Sequence, residues 1–414
     1  MRKYCIQLLI AVILITSIVG CFNWIVDPFD VYRIIRKEGF NAHKSQYGKY
    51  ARLAKIIQIE RYPRVNVALG NSRTQMGIDM SHPFWNGKEG WNLAVNGADI
   101  YLIRRFLEHA IVVAPLEKVF IGIDFGMFNG RSIQKLEDER YFAVNKNGEL
   151  NHWHKLKQYI LTLGTFSALS ASIETLRKQR LIDNAYGLDG RRLTSHARMK
   201  VQGDGGHDKE FSTLEKRTVE IYWDSINGKI EYKHQIAPGW TTMDEFRKII
   251  DLGQKNKIKM YFVISPCHAR WFDAEYNLGL GAKVEQWKRN VTQIVDQANL
   301  MNDQVLIELW DFSGYSLYSM EEVPPASDQK TLMQWYVDPS HYSVELGHIM
   351  LDRILEKAAS SEFGIQLTAS AIEEILQQQR QERQDYLKAE PHLTTLLREK
   401  VLGTIEELKQ QKYP

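Results

Sequence analysis

The sequence predicts an α/β protein. Its expected form is a three-layer α/β/α sandwich built on a five-stranded parallel sheet, with one N-terminal transmembrane helix and a C-terminal helical extension. Three observations point there. An uncharged apolar run from Tyr4 to Val26 opens the chain, and no second run matches its length. Through the middle, short runs rich in Val, Ile and Phe alternate with segments of helical spacing, which is how a parallel sheet covered by helices on both faces is written. From 361 to 414 the chain turns charge-dense and helical in pattern, with Pro391 as a break.

Taken in order, residues 1–26 read as an anchor. A helix needs about 20 apolar residues to cross a bilayer, and Tyr4–Val26 supplies them. Arg2 and Lys3 before the run, with Asp27 and Asp30 after it, place its N-terminus in the cytoplasm and everything from Asp27 onward beyond the inner membrane. Two other readings stay open. A cleaved signal peptide lacks a small-x-small site after the run. A lipoprotein signal is suggested by Ile18-Val19-Gly20-Cys21, although Phe22–Val26 carries the apolar run past the cysteine.

Residues 27–63 read as a partly helical stalk packing back on the body, and 64–360 as the α/β domain. Its five strands are expected at Val65–Leu69, Trp91–Val95, Lys118–Phe125, Lys259–Ser265 and Val305–Trp310, the first of them internal. Helices are expected over Asp99–Val113, Asp244–Lys257, Lys283–Leu300 and Tyr342–Glu356. Between 130 and 242 the rhythm breaks. That stretch reads as an insertion between the third and fourth strands, with helices around Leu156–Leu181, disordered or lid-like parts, and a flexible or turn-rich glycine run at 203–206.

Lys+Arg 53 against Asp+Glu 50 leaves a net charge of +3, too even for a dedicated nucleic-acid binder. Of the three cysteines, Cys5 and Cys21 fall in the anchor, so Cys267 has no partner for a disulfide in the soluble part. His152-Trp153-His154 lacks a third ligand at metal spacing, no phosphate-binding or dinucleotide loop is present, and no metal or cofactor is implied.

In parallel α/β sheets functional groups gather beyond the carboxyl ends of the strands. The first strand runs into Gly70-Asn71-Ser72-Arg73, the second into Asn96-Gly97, the third into Asp124, the fourth into Cys267-His268, and the last helix opens with Asp338-Pro339-Ser340-His341. A serine becomes a nucleophile only when a base takes its proton. His341 is placed to be that base, with Asp338 to orient and charge-balance its ring. Each also has a plain alternative: Ser72 and Asp338 fit helix N-caps equally well, Asp124 fits a structural partner of Arg73, and His268 fits a structural ring beside a strand end. Arg73 suits either an anionic group or Asp124.

Gly70-Asn71-Ser72 and the closing Asp338-x-x-His341 resemble the first and last blocks of the SGNH (GDSL-type) hydrolase superfamily, with Asn96-Gly97 where its second block supplies an oxyanion glycine. The chain is similar to the membrane-anchored bacterial members that act in alginate and cellulose acetylation and in teichoic-acid D-alanylation, over roughly Val65–Glu356. The resemblance implies an SGNH, flavodoxin-like fold and a Ser72–His341–Asp338 triad. It implies an acyl (O-acetyl) transferase or esterase acting on a cell-surface polysaccharide or other acylated glycan, on the periplasmic side of the bacterial inner membrane. It implies a membrane-bound O-acyltransferase as partner. Oxyanion and substrate contacts would fall to Gly97, Asn96, Asp124, Arg73 and His268. One block departs: Gly-x-Asn-Asp aligns with Gly122-Ile123-Asp124-Phe125, and an ionised Asp124 has no N–H to give an oxyanion. That favours a transferase or weakly active homologue over a fast esterase. It also keeps alive the alternative of an inactive assembly partner.

Overall fold

A computed structural model describes residues 2–133, 137–179, 185–302, 305, 307–356 and 363–412. Helix α1 (Arg2–Val26) is long and apolar enough to cross a membrane, with a mean hydropathy of 2.6 over an 18-residue window, none of it buried. It runs unbroken past Cys21, which is exposed, as is Cys5. The segment 27–63 packs back on the body. The Asp27 carboxylate turns the chain by accepting the backbone N–H groups of Val31, Tyr32 and Arg33, and α2 (Tyr47–Arg61) buries most of its length.

Strand β1 (Asn66–Leu69) ends at Gly70. With φ +151°, a Cβ there would meet Thr74 Oγ1 at 2.3 Å and the Gly122 carbonyl oxygen at 3.0 Å, so only glycine lets the chain turn so tightly into α3 (Ser72–Gly77). Strand β2 (Gly90–Asn92) stops short of the expected Val95, although Leu93 and Val95 still donate to the Ala68 and Gly70 carbonyls. Helix α4 (Ile100–Val113) is capped by Asp99, which accepts from Leu102 N–H at 2.8 Å. Strand β3 (Lys118–Ile123) follows.

The insertion is more ordered than the sequence suggests. It holds α5 (His154–Leu163), α6 (Phe166–Arg177), α7 (Thr194–Asp204) and α8 (Gly206–Tyr222). The glycine run expected to be flexible is the break between α7 and α8, where Gly205 takes φ +113°. Two antiparallel ribbons, Trp223–Asp224 with Lys229–Ile230 and Gln235–Ala237 with Trp240–Thr241, complete it without entering the main sheet. The end of the helix expected over 156–181 lies outside the described residues beyond 179.

The α/β rhythm then resumes through α9 (Thr242–Lys255), β4 (Lys259–Ile264), α10 (Ala269–Asn277), α11 (Gly281–Met301), β5 (Ile307–Asp311) and α12 (Val344–Glu356). The tail forms β6 (Ile365–Gln366), α13 (Ile372–Ala389) and α14 (Pro391–Lys412).

The main sheet runs β6-β5-β4-β3-β1-β2. The first five strands pair in parallel, with β1 internal; β6 pairs antiparallel with β5, Ile365 opposite Asp311. The sheet is therefore mixed and six-stranded, which corrects the expected five-stranded parallel sheet and the reading of the tail as lying wholly outside it. A two-residue strand carries no periodic signal, so the sequence hides it. Alternate side chains feed two cores. Val67, Leu69, Val119, Ile121 and Phe262 join α2, α4, α9 and α11 on one face, while Ala68, Phe120, Tyr261 and Val263 pack with α12 on the other. Burial on both faces explains why these strands read as unbroken apolar runs.

Candidate active site

The chain passes from β1 to β2 on one side and returns to β3 on the other, so the sheet order reverses beside β1. At such a point the loops leaving neighbouring strands diverge and open a crevice. Ser72 opens α3 there. Its partners arrive on the loop before α12, because α3 and α12 touch backbone to backbone. A Cβ on Gly347 would fall 1.8 Å from the Gly77 carbonyl oxygen, and one on Gly77 would strike the Tyr342 ring. Two glycines thus set how near the serine and the histidine come.

Ser72 Oγ lies 2.7 Å from His341 Nε2, and His341 Nδ1 lies 2.7 Å from Asp338 Oδ2. The other Asp338 oxygen accepts the backbone N–H groups of Ser340 (2.8 Å) and His341 (2.9 Å), which locks the turn. Burial works to raise the Asp338 carboxyl, but the His341 ring and these two N–H groups outweigh it and hold it below the ordinary range. A carboxylate kept ionised beside Nδ1 makes that nitrogen the N–H donor and leaves Nε2 free to accept from the serine hydroxyl. Asp338 thus serves the local turn and the relay at once, whereas the Ser72 hydroxyl bonds His341 and caps no helix among the described residues. The N-cap of α3 itself is Asn71, whose Oδ1 accepts from Arg73 N–H at 3.0 Å.

Asp124 is an acceptor on every side. It takes hydrogen bonds from Asn71 Nδ2, from Arg73 Nη1 at 2.9 Å and from Met127 N–H at 3.1 Å. Arg73 is buried, reaches Ser340 Oγ with Nε at 3.1 Å and lies over the Trp271 ring. The structure thus pairs Arg73 with Asp124 and gives Asp124 no N–H to offer. The backbone N–H groups of Ser72 and Gly97 carry no hydrogen bond among the described residues, and the amides of Asn71 and Asn96 face the same cavity.

That cavity holds about 440 Å³. Ser72, His341, Asn96, Gly97, Arg73 and Asp124 line it, as the sequence places them. Its other walls went unread: Trp271 and Glu275 from α10, Tyr222 and Arg217 from α8, and Arg192 before α7. Arg192 and Arg217 have no ion-pair partner among the described residues. Glu275 Oε1 accepts from Tyr222 hydroxyl at 2.9 Å and Trp271 Nε1 at 3.2 Å. Burial first, then the nearby Asp124 charge, raise its carboxyl to about 7, against the pull of Tyr222 and Arg73.

His268 does not line the cavity, which corrects its placement among the substrate contacts. It caps α10 instead. Nδ1 accepts from Arg270 N–H at 3.2 Å and Nε2 donates to the Glu321 carbonyl at 2.7 Å, and burial pushes the ring down to about 3. His154, of the His-x-His pair, bonds Glu60 at 3.0 Å. Among the described residues no group of three His, Cys, Asp or Glu side chains is arranged to hold a metal ion. Comparison of the sequence with family models and with curated proteins finds no match.

Proposed function

We propose that this chain is a membrane-anchored serine acyltransferase or esterase of the SGNH type, a three-layer α/β/α sandwich of the flavodoxin-like kind. Its soluble domain would face the extracytoplasmic side of a bacterial inner membrane. The single observation that carries the reading is the unbroken relay Ser72 Oγ–His341 Nε2, His341 Nδ1–Asp338 Oδ2, at 2.7 Å in both steps.

In the chemistry this supports, Ser72 Oγ attacks an acyl carbonyl while His341 takes its proton, and Asp338 stabilises the imidazolium. The carbonyl oxygen gains negative charge, and the Ser72 and Gly97 N–H groups with the Asn71 or Asn96 amide are the donors for it. Collapse expels the first alcohol or thiol with the His341 proton and leaves an acyl-serine. A second hydroxyl, from a sugar or from water, then gives its proton to His341 and takes the acyl group. The acceptor we favour is a cell-surface glycan, with a membrane-bound O-acyltransferase as the acyl source. Arg192 and Arg217 supply a cationic wall that suits a glycan bearing carboxylate or phosphate groups.

The test is acyl transfer from p-nitrophenyl acetate to water or to an oligosaccharide by the purified full chain. Ser72→Ala and His341→Ala are each expected to lower it roughly 10⁴-fold or more, and the double variant little further, since the pair acts as one unit. Full activity in Ser72→Ala would sink the enzymatic reading. A second reading, a catalytically weak assembly partner of such an acyltransferase, is favoured by one observation: Asp124 stands where an oxyanion-facing amide would help, and it only accepts. Under that reading Ser72→Ala leaves glycan acylation in cells intact while deletion of the gene abolishes it.

A further inference from the structure

Helix α5 carries an apolar stripe on its outer side. Trp153 at its N-cap, then Leu156, Ile160 and Leu163, recur at helical spacing and form one line. Trp153 is 66% and Ile160 54% exposed; Tyr159 lies exposed beside them, and Phe166 at the start of α6 is 84% exposed. Large apolar side chains exposed side by side in this way mark an interaction site.

The stripe leads onto α1. Its last member, Leu163, faces Gly20, where a Cβ would lie 4.0 Å from the Leu163 Cβ. The Leu163 carbonyl accepts from Asn23 Nδ2 at 2.8 Å, and Asn23 Oδ1 accepts from Ser172 Oγ of α6 at 2.8 Å. Asn23 is fully buried. The α5–α6 pair is therefore clasped to α1 at residues 20–23. A span of about 20 residues beginning at Tyr4 ends at that level. Trp153 and Tyr159 are the residue types that settle at the membrane–water boundary, and Lys157 stands beside them for anionic headgroups, while Lys155 pairs with Glu60 at 3.1 Å.

We infer that the α5–α6 pair is a second membrane-contact surface, lying in the headgroup and upper acyl layer of the same bilayer that α1 crosses. This rests on α1 being a transmembrane helix. The contact fixes the orientation of the soluble domain. With α1 as the sole membrane contact, the domain clasped to it would tilt and turn with the helix; with α5 and α6 seated in the interface, the Ser72 cavity keeps one height and one heading above the lipid.

The experiment uses the full chain in phosphatidylglycerol-containing vesicles. Cys5 and Cys21 are changed to Ser, and a fluorophore is placed on Ile13→Cys, Ile160→Cys, Phe166→Cys or Leu317→Cys in turn. Leu317 is exposed on a loop whose neighbour Tyr318 packs on the far core. Quenching by doxyl-labelled lipid is compared with quenching by aqueous iodide. Labels at 160 and 166 are expected to be quenched by lipid several-fold more than the label at 317, as is the label at 13. Lipid quenching at 13 together with iodide quenching at 160 and 166 overturns the proposal and leaves the anchor standing. Shielding of 160 and 166 from both quenchers would mean a protein partner covers them, and overturns it too. Iodide quenching at 13 overturns the transmembrane reading, and the proposal with it.

Discussion

Asp124 is one half of a buried ion pair, with Arg73 Nη1 2.9 Å away. Its place after β3 is visible in Gly122-Ile123-Asp124, but its job depends on Arg73 and Asn71, which reach it from another strand end. Removing one charge of a buried pair strands the other, at a cost of about 3–5 kcal/mol. Asp124→Asn is therefore expected to destabilise by that order, and adding Arg73→Met to recover much of it. Denaturant unfolding of the four proteins of that cycle measures the coupling. The relay residues were legible because each sits in a short local motif with a chemical reason. Trp271, Glu275, Tyr222, Arg192 and Arg217 were not, because their positions are set by helices that pack across the crevice and not by any spacing along the chain. If Arg192 and Arg217, without an ion-pair partner among the described residues, hold an anionic acceptor, Arg192→Ala and Arg217→Ala should each raise KM for a uronate-bearing or phosphate-bearing oligosaccharide about tenfold. kcat, and KM for a neutral one, should hold steady. Equal kinetics on both acceptors would remove the arginines from substrate binding.

At the scale of elements, the contact between α3 and α12 is the joint on which the site depends. Gly347→Ala has no room, with the Gly77 carbonyl oxygen 1.8 Å from the new methyl. The helices must part, at a cost of about 1–3 kcal/mol for overpacking. A shift near 1 Å between nucleophile and base lowers turnover by about a hundredfold. Loss of stability without loss of kcat in the folded fraction would show that the glycines only serve packing. The long periodic elements, α4, α9, α11 and β3, were readable to within a few residues. The brief ones were not: β6 has two residues, and the glycine pair between α7 and α8 looks in sequence like any flexible run.

For the whole molecule, the alternation of strand and helix foretold the α/β class and the internal place of β1. It did not foretell the mixed edge of the sheet, nor which residues of the lid-like insertion would wall the cavity. Burial also makes the fold acid-sensitive. His109 is fully buried, donates from Nε2 to the Ile56 carbonyl and accepts Ala143 N–H at Nδ1, and burial lowers it to about 4. His268 is held the same way, at about 3. Both stay neutral in the fold where the unfolded chain, with its ordinary value of 6.5, takes up protons. Each ring's share of stability is full above about pH 6.5 and falls as pH drops from there toward 4, by up to about 1.4 kcal/mol per pH unit; Glu275, raised by burial to about 7, works against one such share as pH rises from its ordinary 4.5 toward 7. Denaturant midpoints at pH 7.5, 6 and 5 measure the slope, and His109→Gln should remove one ring's share. A slope that His109→Gln leaves unchanged would contradict the buried neutral state of that ring.

Ser72 and His341 stand 269 residues apart in the chain. A polypeptide still emerging from the ribosome, or halfway through a translocation channel, has the first without the second. On the proposed reading, acyl chemistry would begin only after the last helix of the sheet has been made and has closed on Gly77. An acyl-transfer site split across the chain in this way would stay silent during biosynthesis by its topology alone.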